Sequence, residues 1–173
     1  MISFYSYKPC LNNTMFLSNE QIFIITIFFF SVCLSAFFSG TEAAFLSIQK
    51  VRLSSMENNG VPGAKRLREF TEEPTRFLPT LLLGNNLANT LAAALGTALS
   101  FTFYSTSSTA IVISTIIVTA ILLIFGEMIP KTFGAKKAEQ FAMGVLTPII
   151  WFEKMFFPFI KILQFISLYI TKI

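Results

Sequence analysis

Polar side chains interrupt three strongly apolar stretches of the chain, and their types point to cation chemistry. Asn85 and Asn89 are four residues apart and therefore share one face of a helix. Ser39 belongs to a serine stripe at helical spacing, and Glu127 stands in the otherwise apolar string "LIFGEMIPK". Hydroxyl, amide and carboxylate oxygens are the ligands that hard cations such as Mg²⁺ and Ca²⁺ prefer. The pattern predicts an oxygen-lined cation site between apolar helices.

The serine stripe has two interpretations. Ser31, Ser35, Ser39 and Glu42 follow one another at steps of four, four and three residues, which places them on one helical face. Small hydroxyl side chains at helix interfaces in lipid usually serve packing and hydrogen bonding, and the stripe taken alone favours that role over ligation. Glu42 lies near the end of the apolar stretch, where it could equally be solvated or paired with an arginine.

Pro130 predicts a further oxygen ligand beside Glu127. Proline has no N–H to pair with the carbonyl of Gly126, four residues back, and its ring favours a helix kink there. The Gly126 backbone carbonyl therefore joins the predicted ligand set. With one carboxylate, a bound divalent ion leaves the site net positive unless Glu42 contributes, which predicts moderate affinity. The alternative for Glu127 is a protonated carboxylic acid that is hydrogen-bonded between helices.

Composition places the chain in a membrane. Of its 173 residues, 54% are hydrophobic and only 13% charged, about half the charged fraction of a soluble domain. A soluble enzyme, a disordered chain and a disulfide scaffold all fit this composition poorly. Histidine is absent and Cys10 and Cys33 are the only cysteines, so one chain cannot assemble a zinc, haem or histidine-based catalytic site. We see no nucleophile with a paired base and expect no enzyme.

Three stretches have the roughly 20 apolar residues that a crossing needs, at about 22–46, 78–99 and 110–129. Residues 1–20 form a tail before them, and the first stretch is too long for a signal peptide. The chain has one Lys or Arg before the first span and six between the first and second spans. It has none between the second and third spans and six after the third. The positive-inside bias then predicts a multi-pass protein of the cytoplasmic (inner) membrane, with its N-terminus outside and its C-terminus cytoplasmic. Such clustering beside apolar runs indicates topology signals rather than a nucleic-acid surface.

The remaining segments predict a belt of juxtamembrane helices. Residues 49–76 mix basic and apolar side chains around the breaker "NNGVPG", which favours two short amphipathic helices joined by a turn. Residues 131–170 are interrupted by Pro148, by the neighbours Glu153 and Lys154, and by further charge. We prefer interfacial helices with these charges among lipid headgroups to a fourth crossing. The predicted fold is an all-α integral membrane protein with three transmembrane helices and this belt.

Three strings in order, "FFSGTEAAFLS", "LLLGNNLAN" and "LIFGEMIPKTFGA", resemble the transmembrane domain of the CNNM/CorC family of magnesium transporters over about residues 37–170. The resemblance implies three transmembrane helices per subunit, a juxtamembrane belt, a homodimer and a Mg²⁺ site between the helices. Family members are regarded as Mg²⁺ exporters, and the bacterial ones as coupled to Na⁺ entry.

The resemblance also assigns residues. The cation-binding serine of the family falls on Ser39, its asparagines on Asn85 and Asn89, and its acidic residue on Glu127. Glu42 matches an acidic position of the bacterial motif, with a role in Na⁺ binding or gating. Family proteins usually continue into cytosolic CBS domains that bind nucleotide; these are absent here, so we expect either a truncated chain or a short member.

The favoured hypothesis is Na⁺-coupled Mg²⁺ export by alternating access. Two alternatives remain: a passive divalent-cation channel lined by the same oxygens, and a dimerising membrane anchor for a cytosolic sensor. Spacing of small residues, such as Ala92 to Gly96, is compatible with a homodimer but does not locate its interface.

Overall fold

A computed structural model describes residues 18–103 and 108–171, and those residues are almost entirely helical. The helices are α1 Asn19–Ser47, α2 Lys50–Asn58, α3 Ala64–Thr71, α4 Pro74–Phe103, α5 Ser108–Ile121, a π-helical segment π1 Leu122–Met128, α6 Ile129–Lys136, α7 Ala138–Met155 and α8 Phe157–Thr171. Within these ranges no strand occurs, so the all-helical prediction is confirmed for them. Most of the predicted tail, with Cys10, and residues 104–107 of the link before the third span lie outside the described residues.

Two helical stretches are long and apolar enough to cross a membrane. Helix α1 begins with a capping box, in which the Ser18 hydroxyl accepts from the backbone N–H of Gln21 and the Gln21 side chain accepts from the N–H of Ser18. Its 29 residues extend about 44 Å. The second stretch, Ile111–Lys136, has the same mean hydropathy of 2.4. These two agree with the first and third predicted spans.

The predicted second span lies inside α4, which is long enough to cross but less apolar. Its 30 residues start at Pro74, where the missing N–H of proline is tolerated in a first helical turn. Three asparagines lower its hydropathy, and by length and composition together α4 does not qualify as a span. Helix α4 packs along α1, and its crossing is a proposal taken up below.

One end of the bundle is held by an apolar core to which the belt helices contribute. The core consists of Phe38, Ala44, Phe45, Leu53, Leu67, Phe70, Phe77, Leu81, Ala142, Leu146, Ile149 and Ile150. These residues come from α1, α2, α3, α4 and α7. Between α2 and α3 the chain reverses through Gly60 and Gly63, both at positive φ, where only glycine avoids strain. A pair of short helices joined by a turn therefore occupies the segment where the sequence predicts one.

The third and fourth apolar segments differ from the prediction in detail. Helix α6 continues past the predicted end at Ile129 to Lys136, and α7 and α8 part at Phe156. Pro148 was expected to interrupt the helix, but it lies inside α7. Burial of the side chains around it, Leu146 and Ile149, stabilises the helix despite the missing hydrogen bond.

Glu153 is the clearest correction. We expected it beside Lys154 among headgroups, but it is 5% exposed and pairs with Arg76 at the start of α4. An arginine fork can neutralise and hydrogen-bond both carboxylate oxygens, which makes burial of this charge acceptable.

Candidate cation site

The predicted ligands meet where α1, α4 and π1 pack together. Ser35 and Ser39 are fully buried on α1, between the apolar core described above and a second cluster built around Phe28, Val32 and Ala92. Two apolar layers therefore enclose a polar one. At the two buried serines there is little competition from water, and interactions between charges and dipoles gain strength there, whereas Asn85, Asn89 and Glu127 are partly exposed.

Ser35 is the centre of the polar layer. Its hydroxyl oxygen lies 2.6 Å from Oδ1 of Asn89, 3.3 Å from Oδ1 of Asn85 and 3.3 Å from the carbonyl oxygen of Gly126. The Ser39 hydroxyl donates to the same Asn85 oxygen at 3.2 Å. The Asn89 amide nitrogen donates to Oε1 of Glu127 at 3.1 Å. Together these six residues bring six oxygen atoms from three helical segments to one place.

This cluster contains more acceptors than donors. A serine hydroxyl has one hydrogen, so Ser35 can donate well to only one of the three oxygens around it, and the shortest distance selects Asn89. The carbonyl of Gly126 then faces an oxygen that has no hydrogen left to give. Such an arrangement of oxygens is electron-rich, and a cation between them would relieve it.

The Gly126 carbonyl reaches the cluster through an irregular helix. In π1 the N–H of Ile129 donates to the carbonyl of Ile124, five residues back. The structure thus has a π-helical segment that ends two residues before Pro130, at the place where the sequence predicts a kink. Gly126 is buried, and a Cβ there would lie 2.9 Å from the Ser35 hydroxyl oxygen, so glycine allows this close approach. π-helical turns recur at functional sites.

Two kinds of buried hydroxyl can now be distinguished on α1. Ser31 donates to the carbonyl of Ile27 and Thr41 to that of Phe37, both within their own helix. Ser35 and Ser39 instead bond across to α4. For Ser31 the packing interpretation fits; for Ser35, which the sequence placed in the stripe but not among the ligands, the structure gives the central position. In the sequence, the serine stripe is the only signal that could have pointed to this role of Ser35.

The two acidic residues of the predicted site have different surroundings. Among the described residues Glu127 has no ion-pair partner, and its one side-chain hydrogen bond comes from the neutral amide of Asn89. Glu42 is partly buried and pairs with Lys131, whose Nζ lies 3.3 Å from Oε2. The described ranges contain no cluster of three His, Cys, Asp or Glu side chains, so any cation here depends on amide, hydroxyl and carbonyl oxygens around one carboxylate.

A family model, the cyclin M transmembrane N-terminal domain, matches residues 25–173. The chain belongs to the CNNM family. The match begins within α1 and runs through α8, so it includes all the residues of the oxygen cluster. The resemblance stated from the three strings is thereby confirmed, and the helical structure of the described residues, with two helical stretches long and apolar enough to span a membrane, is consistent with a membrane protein of that family.

Curated proteins from three organisms are similar in sequence to this chain. A UPF0053 protein of Haemophilus influenzae is 34% identical over 148 residues, which cover 84% of this chain and 34% of that protein. The UPF0053 inner membrane protein YfjD of Escherichia coli is 34% identical over 128 residues, which cover 68% of this chain and 29% of that protein. A chloroplastic DUF21 domain-containing protein of Arabidopsis thaliana is 31% identical over 144 residues, which cover 81% of this chain and 21% of that protein. The chain spans about a third or less of the length of these relatives.

Proposed function

We propose that the chain binds Mg²⁺ as a transported substrate between α1, α4 and π1. The observation that carries this proposal is the oxygen cluster around Ser35, in which three acceptors crowd one hydroxyl. Adjacent ligands of an octahedral Mg²⁺ ion, at 2.0–2.1 Å from the metal, lie about 2.9 Å apart. The oxygen separations of 2.6 to 3.3 Å in the cluster bracket that value. Membership of the CNNM family supports a role related to divalent-cation transport.

The charge of the site suits an ion that must be released. Glu127 supplies one negative charge against the two positive charges of Mg²⁺, and the remaining ligands are neutral. Moderate affinity follows, because a transport site has to let its ion leave as well as enter. Since Mg²⁺ dehydrates reluctantly, neutral oxygens held on rigid helices are needed to replace its water.

The proposed cycle is Na⁺-coupled export by alternating access. In it, α1, α4 and the α5–π1–α6 stretch each cross the cytoplasmic membrane, with the N-terminus outside and the C-terminus in the cytoplasm, and two copies form a homodimer. Lys and Arg bias supports this orientation. Na⁺ coupling rests on the resemblance to bacterial family members. Glu42 is the proposed residue for Na⁺ binding or gating, and its exchangeable partner would be Lys131.

Isothermal calorimetry of Mg²⁺ binding to the purified protein in detergent micelles tests the site. We expect heat from the wild type and none from Asn85→Ala or Glu127→Ala. The matched control is Asn86→Ala, which removes the same amide from the next residue of α4, an exposed side chain. Binding lost in Asn85→Ala but kept in Asn86→Ala supports the site. Folded wild type that gives no heat would overturn the proposal and favour the membrane-anchor alternative. Glu127→Ala that still transports Mg²⁺ would overturn the assignment of Glu127 as a ligand.

Coupling needs a separate measurement. In proteoliposomes, Mg²⁺ flux should saturate with Mg²⁺ concentration and rise when an opposing Na⁺ gradient is applied. A flux that stays linear in concentration and ignores Na⁺ would instead indicate the passive channel.

A further inference from the structure

A polar cavity of about 590 Å³ lies where α1 turns into α2 and α6 turns into α7. We call it the junction cavity. Its wall carries three cationic side chains, Arg52, Lys136 and Lys137, and one carboxylate, Glu139. Glu139 pairs with Arg52 at 2.6 Å. Among the described residues neither lysine has a carboxylate within ion-pair distance, so the wall keeps an excess of two positive charges.

Backbone groups at the junction cavity add donors to these charges. Helices α2 and α7 both begin there, and their N-cap residues, Gln49 and Lys137, make no side-chain cap hydrogen bond. First-turn N–H groups generally lack an acceptor within the helix and commonly bind anions. In α2 the N–H of Arg52 is an exception, because it donates to the Gln49 carbonyl at 3.0 Å. The carboxyl ends of α1 and α6 meet the same junctions, so the helix dipoles partly cancel. The two lysines without a carboxylate partner therefore make the net charge of the cavity positive.

The surface beside the junction cavity is apolar. Leu46, Val51 and Phe133 are 60%, 82% and 48% exposed, and the ammonium of Lys137 lies 5.4 Å from the centre of the Phe133 ring. An apolar rim next to unpaired lysines is typical of the level at which lipid tails give way to headgroups. In such a place basic side chains attract anionic phospholipids.

We propose that the junction cavity binds a phosphate-bearing anion, supplied by the headgroup of an anionic phospholipid or by a free phosphate. Its volume is within the roughly 300–1,000 Å³ of ligand pockets. The cavity lies beyond the oxygen cluster along α1: eight residues, or about 12 Å, separate Ser39 from Ser47 in its wall. It is thus a second site, and the proposal does not depend on Mg²⁺ binding.

Thermal unfolding of the full chain in neutral-detergent micelles tests the proposal with three additions: phosphatidylglycerol, zwitterionic phosphatidylcholine and inorganic phosphate. We expect phosphatidylglycerol, phosphate or both to raise Tm in a saturable way and phosphatidylcholine to leave it unchanged. In Lys136→Gln/Lys137→Gln the half-saturating concentration should rise about thirtyfold. The matched control is Lys65→Gln/Arg66→Gln, which removes two adjacent exposed charges from α3 and should keep the wild-type response.

A third variant changes the response in the opposite direction. Glu139→Gln removes the one negative charge of the wall and frees Arg52, so the half-saturating concentration should fall about fivefold. Damage to the fold would weaken binding in every variant and could not produce opposite signs. A response to phosphatidylglycerol alone assigns the anion to lipid, and one to inorganic phosphate assigns it to a free phosphate. No response to either, or equal responses in the lysine double variant and its control, would overturn the proposal.

Discussion

Glu127 and Glu153 are both carboxylates within a largely apolar helical protein, but their partners differ. Glu153 is 5% exposed and its two oxygens accept from the guanidinium of Arg76, with Oε2 at 3.1 Å from one of the terminal nitrogens. Glu127 is partly exposed and accepts a single side-chain hydrogen bond, from the amide of Asn89. One negative charge is neutralised by a fixed cation of the chain, and the other lies among neutral oxygens.

The difference separates a structural charge from one that is available to a mobile ion. The hydrogen bonds that Arg76 donates to the Glu153 carboxylate raise the pKa of Arg76 above its ordinary value, which favours the charged guanidinium in this pair. This pair joins the start of α4 to α7. Gln164 of α8 donates to the carbonyl of Thr75 at 2.8 Å, which fixes the same end of α4. Rigid anchoring there keeps α4 in place for the proposed ligands farther along it.

Breaking the Arg76–Glu153 pair should have the largest effect on stability. Arg76→Met leaves a buried carboxylate without its cation, and we expect a loss of about 3 kcal/mol in thermal unfolding, the lower end for such pairs because Arg76 is 43% exposed. Arg66→Met, at an exposed arginine, should change stability by less than about 0.5 kcal/mol. The double variant Arg76→Met/Glu153→Met should recover most of the loss, since no charge is left unpaired. Without that recovery, the cost arises from packing around Arg76 and not from the charge.

Neutralising each carboxylate in turn should have opposite consequences: one variant should lose Mg²⁺ affinity and keep its stability, and the other should lose stability and keep its response to Mg²⁺. Glu127→Gln keeps an acceptor for Asn89, so stability without Mg²⁺ should hold within about 0.5 kcal/mol. Its affinity for Mg²⁺ should fall about a hundredfold, or about 2.7 kcal/mol, because the one charged ligand is gone. Glu153→Gln should lose stability and keep the rise in Tm that Mg²⁺ produces. If Glu127→Gln is as unstable as Glu153→Gln, then Glu127 is structural too.

The sequence predicts the all-helical fold well, because the lengths of the apolar runs and the spacing of the polar residues indicate helices. Apolar runs of span length and the breaker "NNGVPG" placed α1, the α5–π1–α6 stretch, α2 and α3. Pro148 misled the prediction, because a local preference against proline is weaker than burial of the side chains beside it. The partner of Glu153 could not be found either: Arg76 is 77 residues away along the chain, and only tertiary packing brings them together.

The candidate site was predicted in part, for similar reasons. Asn85, Asn89 and Glu127 are conspicuous because polar groups are costly in apolar helices. Ser35 is not, since it is one of several serines at the same spacing, and Ser31 uses its hydroxyl within its own helix. What separates them is which serine faces α4 and π1, and that depends on helix rotation and on the π-helical segment, neither of which a single sequence specifies.

A methyl group at Gly126 tests whether the site depends on close packing. In Gly126→Ala the new Cβ would lie 2.9 Å from the Ser35 hydroxyl oxygen, and we expect a cost of about 2 kcal/mol together with weaker Mg²⁺ binding. Gly144→Ala is the matched control, because a Cβ on that helical glycine meets open space. It should be neutral or stabilising, by about 0.5–1 kcal/mol from helix propensity. Equal thermal stabilities of the two variants would contradict a tightly packed site.

The smallest expected difference, between Ser35→Ala and Ser31→Ala, is also the most discriminating. Both side chains are fully buried on α1, so removal of either hydroxyl deletes the same volume from the same helix. Ser31→Ala loses a bond within the helix and should change stability by less than about 0.5 kcal/mol. Ser35→Ala should cost about 1 kcal/mol and weaken Mg²⁺ binding about tenfold, because Asn89 loses its donor and the ion a ligand. If calorimetry gives the two variants equal Mg²⁺ affinities, the stripe is packing throughout, and Ser35 bridges the helices without serving the ion.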